Sequence, residues 1–338
     1  MKSIVIFDEY QAMDLRPADL LKKYIQLTEQ DVTSLLIKGR RLQDCPCPAC
    51  REPGSEPAFT KFGLQYVECP RCRTMYVNPR PSDGDLDEYQ SRSGARKFWI
   101  DELSKKTTGK RKEKIIKPRF QWILDSTEEH FPQAAHFADV NTNQYGYIEE
   151  MSQSSMFTRK TLIQPMLTLD RLRMNSGIRI FPGPVRKAPF DADVDVISLF
   201  EVADRTADMD ALFEKIGGML KKNGLCFMTA VLSSGFDLQI LREHAENLFP
   251  PDRLNVFSVE GLKALFARHE FECLELSTPG IFDVEAVSKA LQQNPKIEIP
   301  GFVEYLLKNR SKDIRSSFQQ FLQAGLLSSY GRIVLRKK

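Results

Sequence analysis

The second half of the chain switches repeatedly between two hydrophobic periods. Beyond Pro132, apolar runs of strand length fall at 135–140, 160–163, 178–181, 194–200, 225–231, 272–276 and 331–335. Between them, 209–222, 237–247 and 259–269 carry apolar residues three or four apart. Strands alternating with helices of this length predict an α/β domain on a largely parallel sheet, because parallel neighbours need a crossover long enough to hold a helix. Seven strands in this order fit a Rossmann-like layout.

The first 130 residues read differently. Leu20, Leu21, Tyr24, Ile25 and Leu27 recur near helical spacing and predict a helix within 17–38, with Thr28 to Asp31 offering the start of a second short one. Cysteine, proline and short aromatic runs dominate 44–82, and Pro79 and Pro81 close that segment by forbidding regular structure. From Leu86 to His130 the helical period returns, its apolar stripe made by Trp99, Ile100, Leu103, Ile115, Ile116, Phe120, Ile123 and Leu124. Positions 288–300 are polar with little period and predict an exposed connection. The expected organisation is an N-terminal helical segment (1–43), a cysteine module (44–82), a helical connector (83–130) and the α/β domain (131–338).

Composition removes several function classes. The chain has 338 residues, 42% apolar and 28% charged, with a net charge of +3, so charge gives no case for nucleic-acid binding. The basic stretch from Lys110 to Arg119 is interrupted by Glu113, Ile115 and Ile116, and reads as the solvated face of an amphipathic helix. No apolar run is long enough to span a membrane, and the apolar start Ile4 to Phe7 is too short for a signal peptide. A cytoplasmic location is expected, where the seven cysteines would not form structural disulfides.

Cys47-Pro-Ala-Cys50 and Cys69-Pro-Arg-Cys72 are two CxxC knuckles. Each turn brings two thiolates within reach of one ion, and two turns supply the tetrahedral sulfur set that zinc prefers. The intervening Phe59–Phe62 and Leu64–Val67 segments read as short strands, completing a zinc ribbon. With all four positions filled by protein, such an ion is structural. Cys45 is a competing ligand with poorer spacing, and Cys226 and Cys273 read as inert buried thiols.

These residues carry a resemblance. The segment from Cys69 through Asn78 to Pro81 is similar to the ribbon end of bacterial class I S-adenosylmethionine-dependent methyltransferases that begin with a zinc ribbon, many of them acting in sugar or surface-glycan biosynthesis. Asp195 to Val202 resembles that family's fourth strand, Leu220 to Phe227 the turn into its fifth, and Ser234 to Gln239 with Phe249 to Asn255 a long family-specific segment. The resemblance implies a Rossmann-like seven-stranded methyltransferase fold with its last strand, 331–335, antiparallel. It also implies a donor site that includes Phe200 and Glu201.

Against that pattern, the first loop keeps the acid, Asp139, but has Asn141 and Asn143 where glycines are expected, leaving Gly146. Asparagine tolerates left-handed backbone, yet its side chain takes up space against a ligand. Gln164 stands where an acidic residue would hold the ribose hydroxyls, and Ala203-Asp204-Arg205 stands where the family often has a Glu-His pair. Losing a charge-assisted hydrogen bond costs about 1.5–3 kcal/mol. A loop misplaced by a residue or two is the alternative to a genuinely altered pocket.

On the substrate side, the resemblance puts Glu243-His244 facing the acceptor, with His244 as a candidate base; a surface histidine on an amphipathic helix is the equal alternative. Arg253, often His in the family, suits a phosphate or carboxylate, with Asn255 beside it. Tyr145 and Tyr147 are candidate pocket walls or packing residues, and His130, His136 and His269 read as structural. Two functions follow. One is methyl transfer from S-adenosylmethionine to a sugar nucleotide or related small metabolite. The other is a catalytically inactive pseudo-methyltransferase that serves as scaffold or regulator for a pathway protein partner. A nicotinamide oxidoreductase would want an acid about where Gln164 stands.

Overall fold

The computed structural model describes residues 15–140, 145–163 and 177–338, with backbone alone at 145 and 146. Ala18–Asp31 (α1) runs unbroken into a π-type turn at Val32–Ile37. Thr28 starts no second helix. It is buried, and its hydroxyl donates back to the Tyr24 carbonyl at 2.8 Å, the local bond a mid-helix threonine makes. Glu56–Lys61 (β1), Leu64–Glu68 (β2) and Met75–Val77 (β3) pair antiparallel in that order. Ser82 and Asp85 form a capping box that starts Asp83–Arg92 (α2). Gly94–Phe98 (α3), Thr108–Arg111 (α4) and Lys117–His130 (α5) follow, joined through π-type turns at Trp99–Ser104 and Lys112–Ile116.

The α/β domain then runs His136–Val140 (β4), Tyr145–Gln153 (α6), Arg159–Ile163 (β5), Ile178–Phe181 (β6), Val194–Phe200 (β7), Met209–Met219 (α7), Leu220–Val231 (β8) and Phe236–Leu241 (α8). It continues with Asn255–Val256 (β9), Val259–Arg268 (α9), Phe271–Ser277 (β10), Asp283–Gln293 (α10), Gly301–Asn309 (α11), Lys312–Ala324 (α12) and Tyr330–Lys337 (β11). The large sheet has the order β10-β11-β8-β7-β4-β5-β6. Its neighbours are parallel except β11, which runs antiparallel to both β8 and β10. This is the α/β, Rossmann-like layout that the alternating pattern predicts, with the last strand antiparallel as the resemblance implies. Val196, Ile197, Leu199, Phe227 and Met228 are fully buried, as expected of central strands covered on both faces.

The chain leaves β4 toward β5 on one side and returns to β7 on the other. Such a reversal opens a crevice at the carboxyl ends of the two strands, where open α/β sheets bind ligands.

Two further expectations are corrected. The helix over 237–247 stops at Leu241 because Arg242 turns left-handed, at φ +46°, and a short Arg242–His244 turn follows. The connection at 288–300 is helical as far as Gln293, with Val287 and Ala290 buried. The cysteine module's sheet gains a fourth strand from outside it: β9 pairs with β3 through Met75↔Val256 and Tyr76↔Asn255. The Val77 amide extends this seam by donating to the Leu254 carbonyl at 2.9 Å.

Candidate functional site

The two knuckles fold alike. In each, the amide four residues on donates back to the first cysteine's carbonyl, Arg51 to Cys47 at 3.0 Å and Arg73 to Cys69 at 2.9 Å. Both donors take left-handed backbone, φ +65° and +61°. The four thiols converge, with Sγ separations of 3.6 Å for Cys47–Cys72 and 3.5 Å for Cys50–Cys69, and all four lie within 4.8 Å of one another. A tetrahedral tetrathiolate zinc site with bonds of about 2.3 Å spaces its sulfurs about 3.8 Å apart, so the donor set fits. Cys45 stands outside the group; its amide donates to Asn78 Oδ1. Cys226 is fully buried, and burial pushes its thiol up.

At the β4/β7 crevice the dominant side chains are arginines. Arg16, Arg96 from α3, Arg111 from α4, Arg119 from α5, Arg205 and Arg253 all line it, with Trp99, Tyr147 and Phe200 as aromatic wall. Glu201, one residue past β7, sits at their centre in left-handed backbone at φ +59°. Three guanidinium groups hold its carboxylate: Arg119 at 3.5 Å, Arg205 at 3.4 Å and Arg253 at 3.7 Å. A non-glycine residue keeps such backbone only when its surroundings over-determine it. Burial opposes its charge, yet Arg253, Arg205, Arg119 and Arg16 together hold the carboxyl well below the usual carboxylate range.

Two further carboxylates stand behind these arginines. Asp252 accepts from Tyr24 Oη at 2.7 Å and pairs with Arg205 at 3.2 Å. Asp204 is fully buried, 3.4 Å from Arg253, and takes the Val231 amide. Burial, reinforced by Glu201, pushes its carboxyl up to about 7 despite Arg253.

Arg119, Arg205 and Arg253 pair directly with these carboxylates, whereas Arg16, Arg96 and Arg111 feel Glu201 or Asp252 at longer range. Among the described residues no carboxylate lies within ion-pair distance of Arg16, Arg96 or Arg111. Arg111 donates to the Thr107 hydroxyl and the Leu15 carbonyl and lies over the Trp99 ring. Arg96 is 6% exposed and its Nε has no hydrogen-bond partner. Burial lowers the pKa of each of the three.

The sequence-predicted residues divide around this crevice. Asp139, at the end of β4, is fully buried and accepts from Ser198 Oγ at 2.5 Å, which in turn takes the Tyr147 hydroxyl at 3.3 Å. Phe200 lines the crevice, stacked on Trp122 with Arg119 over its ring. Arg253 lines it too. Asn255 does not reach it: its buried amide donates to the Ala203 and Thr206 carbonyls at 2.8 Å each, fixing the turn that presents Arg205. Glu243 and His244 project from the turn after α8, each about half exposed and 4.0 Å apart, and neither lines the crevice. Asn141, Asn143 and Gln164 lie outside the described residues, as do the side chains at Tyr145 and Gly146, whose backbone opens α6. The three other histidines have partners: His130 with Glu275 at 2.9 Å, His136 with Thr161 at 2.9 Å and His269 with Asp210 at 3.0 Å.

The basic stretch is corrected in part. Lys110, Lys114 and Lys117 are exposed, but Arg111 and Arg119 are buried in the crevice wall. The signal was spacing: Arg111, Ile115, Arg119 and Ile123 recur every fourth position, which puts both arginines on the apolar stripe rather than opposite it. Arg16, Arg96, Arg205 and Asp252 carry no such local mark, since four separate segments bring them together.

Residues 125–276, somewhat under half the chain, match the family described as a methyltransferase domain. No protein of curated function matches the sequence. Among solved structures, the chain is similar to one from the Haloferax volcanii complex that contains the Trm112 methyltransferase activator, at 14% identity over 70% of this chain and 95% of that one, TM-score 0.45. It is also similar to geranyl diphosphate C-methyltransferase from Streptomyces coelicolor A3(2), at 12% identity over 76% and 88%, TM-score 0.43. A third likeness is to phosphoethanolamine N-methyltransferase 2 of Haemonchus contortus, at 14% identity over 65% and 52%, TM-score 0.44.

Proposed function

We propose that this chain is an S-adenosylmethionine-dependent methyltransferase acting on a small metabolite of the sugar-nucleotide kind, with a structural zinc ion held by Cys47, Cys50, Cys69 and Cys72. The observation that carries the reading is the sheet order β10-β11-β8-β7-β4-β5-β6 with β11 alone reversed, together with the methyltransferase-domain match over most of that sheet. In this reading the donor occupies the crevice at the reversal point. The turn from Asp139 to Gly146 approaches it, Gln164 meets the ribose, and Phe200 and Glu201 border it at the tip of β7. Arg253 faces the acceptor, and Asn255 acts through Arg205 by holding its turn.

Titration of the purified chain with S-adenosylhomocysteine tests the donor site. Saturable binding is expected, tightened when Asn141→Gly, Asn143→Gly and Gln164→Glu are combined. Binding by the triple variant alone would replace the enzyme with the inactive scaffold, and no binding by either would end the methyltransferase reading. Metal analysis should find zinc in the wild type and lose it in Cys47→Ser.

A further inference from the structure

Strands β10 and β11 pair antiparallel at the edge of the large sheet, so a short hairpin would suffice to join them. The chain instead inserts 278–329, which holds α10, α11 and α12. The inner side of this insertion is core: Val287, Ala290, Val303, Leu307 and Leu322 are buried in the cluster that also takes in Leu64 and Met75 of the cysteine module. The outer side is open. Among the described residues, every large hydrophobic side chain that is exposed lies here: Phe302, Tyr305, Ile314, Phe321 and Leu327, each between 38% and 68% exposed. Exposed apolar residues scattered singly need no explanation, but a gathering of all of them on one insertion marks an interaction surface.

The five form one patch. Phe302 and Tyr305 lie three apart on α11, and Ile314, Phe318 and Phe321 lie four and three apart on α12, so each set shares a stripe. The half-buried Phe318 joins the stripes, with its ring 6.4 Å from that of Phe302 and stacked on that of Phe321 at 6.1 Å. Taking about 200 Å² for a fully exposed aromatic side chain, the patch leaves about 500 Å² of apolar surface open, against about 800 Å² buried by one partner in a stable interface. The exposed, neutral Ser317, Ala324 and Gly325 border it and supply further contact area.

Charge selects the occupant. From Ser316 to Gly331 the chain carries no charged residue. Of the nearby cations, Lys308 is paired with Glu304, Arg310 lies over the Tyr305 ring and donates to its hydroxyl, and Arg315 donates to the Leu307 carbonyl. That leaves Lys312, next to Asp313, at one end of the face. An anionic lipid surface wants several cations bordering the apolar stripe, and a strongly charged protein wants a complementary field. A neutral apolar face matches itself, and two-fold pairing is the commonest way for like chains to associate. Parallel α12 helices would set Asp313 against its own copy. Antiparallel helices lay each charged first turn over the uncharged last turns of the other, and place Ile314 opposite the partner's Phe321.

We propose that the outer face of α11 and α12 docks on the same face of a second copy of this chain, with the two α12 helices antiparallel, making a two-fold homodimer. The proposal stands apart from the methyltransferase reading and holds whether or not a donor binds.

Sedimentation velocity of the full chain tests it, and should give twice the chain mass with dissociation on dilution. Phe321→Glu and Ile314→Lys should each sediment as monomers with unchanged far-ultraviolet circular dichroism, because both side chains are exposed in the single chain. Each should weaken the dimer by about thirtyfold or more. Mixed in equal amounts, the two variants should pair again, since the antiparallel arrangement sets the acid of one copy against the base of the other. Phe302→Ser adds no charge and should weaken the dimer with the fold intact, which keeps the test decisive if a charged variant fails to fold. A wild type that is monomeric at every concentration, a dimer that survives Phe321→Glu, or folded charged variants that do not pair on mixing would each overturn the proposal. So would a wild type that is monomeric in solution yet floats with phosphatidylglycerol vesicles in a manner abolished by Phe321→Glu, which would assign the face to a lipid surface.

Discussion

The hydroxyl of Tyr66, in the cysteine module, donates a 2.6 Å hydrogen bond to the backbone carbonyl of Arg253, in the crevice wall. Both residues are buried, and 187 positions separate them in sequence. The bond ties the cysteine module directly to the crevice wall. Tyr66→Phe leaves a buried carbonyl unsatisfied and should cost about 1–3 kcal/mol of stability, measured as a lower urea midpoint.

Metal removal should not stay local. Chelation or Cys47→Ser is expected to expose the amides of Val77 and Val256 to hydrogen exchange, because they sit in the β3–β9 seam that begins three residues after Cys72. Full protection of Val256 in the metal-free chain would show that the two parts fold independently.

Gly261 tests the same seam by packing. A methyl group at this position, in the first turn of α9, would land on the Thr74 hydroxyl, two residues from Cys72. Gly261→Ala should therefore destabilise by about 1–3 kcal/mol. Thr74→Ala in the same chain should recover part of that loss, giving a coupling energy that a double-mutant cycle measures.

Asp204 sets a pH dependence. Its carboxyl is raised to about 7 in the folded protein, against about 3.9 in an unfolded chain. Between those values the folded state holds the extra proton, so this group's contribution is complete below about pH 4 and is lost as pH rises toward 7. Glu201 and Asp252, held low by their arginines, work in the opposite sense as acid is added. The comparison that isolates Asp204 is therefore Asp204→Asn against wild type. The variant's urea midpoint should gain on the wild type as pH rises from about 4 to 7 and then level off. A constant difference would place the titration elsewhere among the groups facing Asp204, which are Glu201, Arg205 and Arg253.

How much of this was written in the chain depends on distance along it. The strands of the large sheet were readable because each is a short, self-contained apolar run; 178–181 and 194–200 match to the residue. The cysteine cluster was readable because ligand spacing within each knuckle is local. The end of α8 was not, because nothing near Arg242 demands left-handed backbone. Nor was the shared sheet, since Asn255–Val256 is too short to register as a strand and owes its pairing to β3. The arginine crevice fell between these cases. Arg111 and Arg119 betrayed themselves by period, whereas Arg16, Arg96 and Arg205 acquire meaning only once remote segments meet.

The seam between β3 and β9 also governs how the gene can be cut. A fragment started at Asp83, at the apparent module boundary, would strip away the partner of Asn255 and Val256 and uncover the apolar surface that Met75, Tyr76 and Val77 now shield. Such a fragment should be recovered as aggregate rather than as a folded minimal domain. Fusion or domain-exchange designs must carry the cysteine segment along with the α/β domain as one inheritance unit.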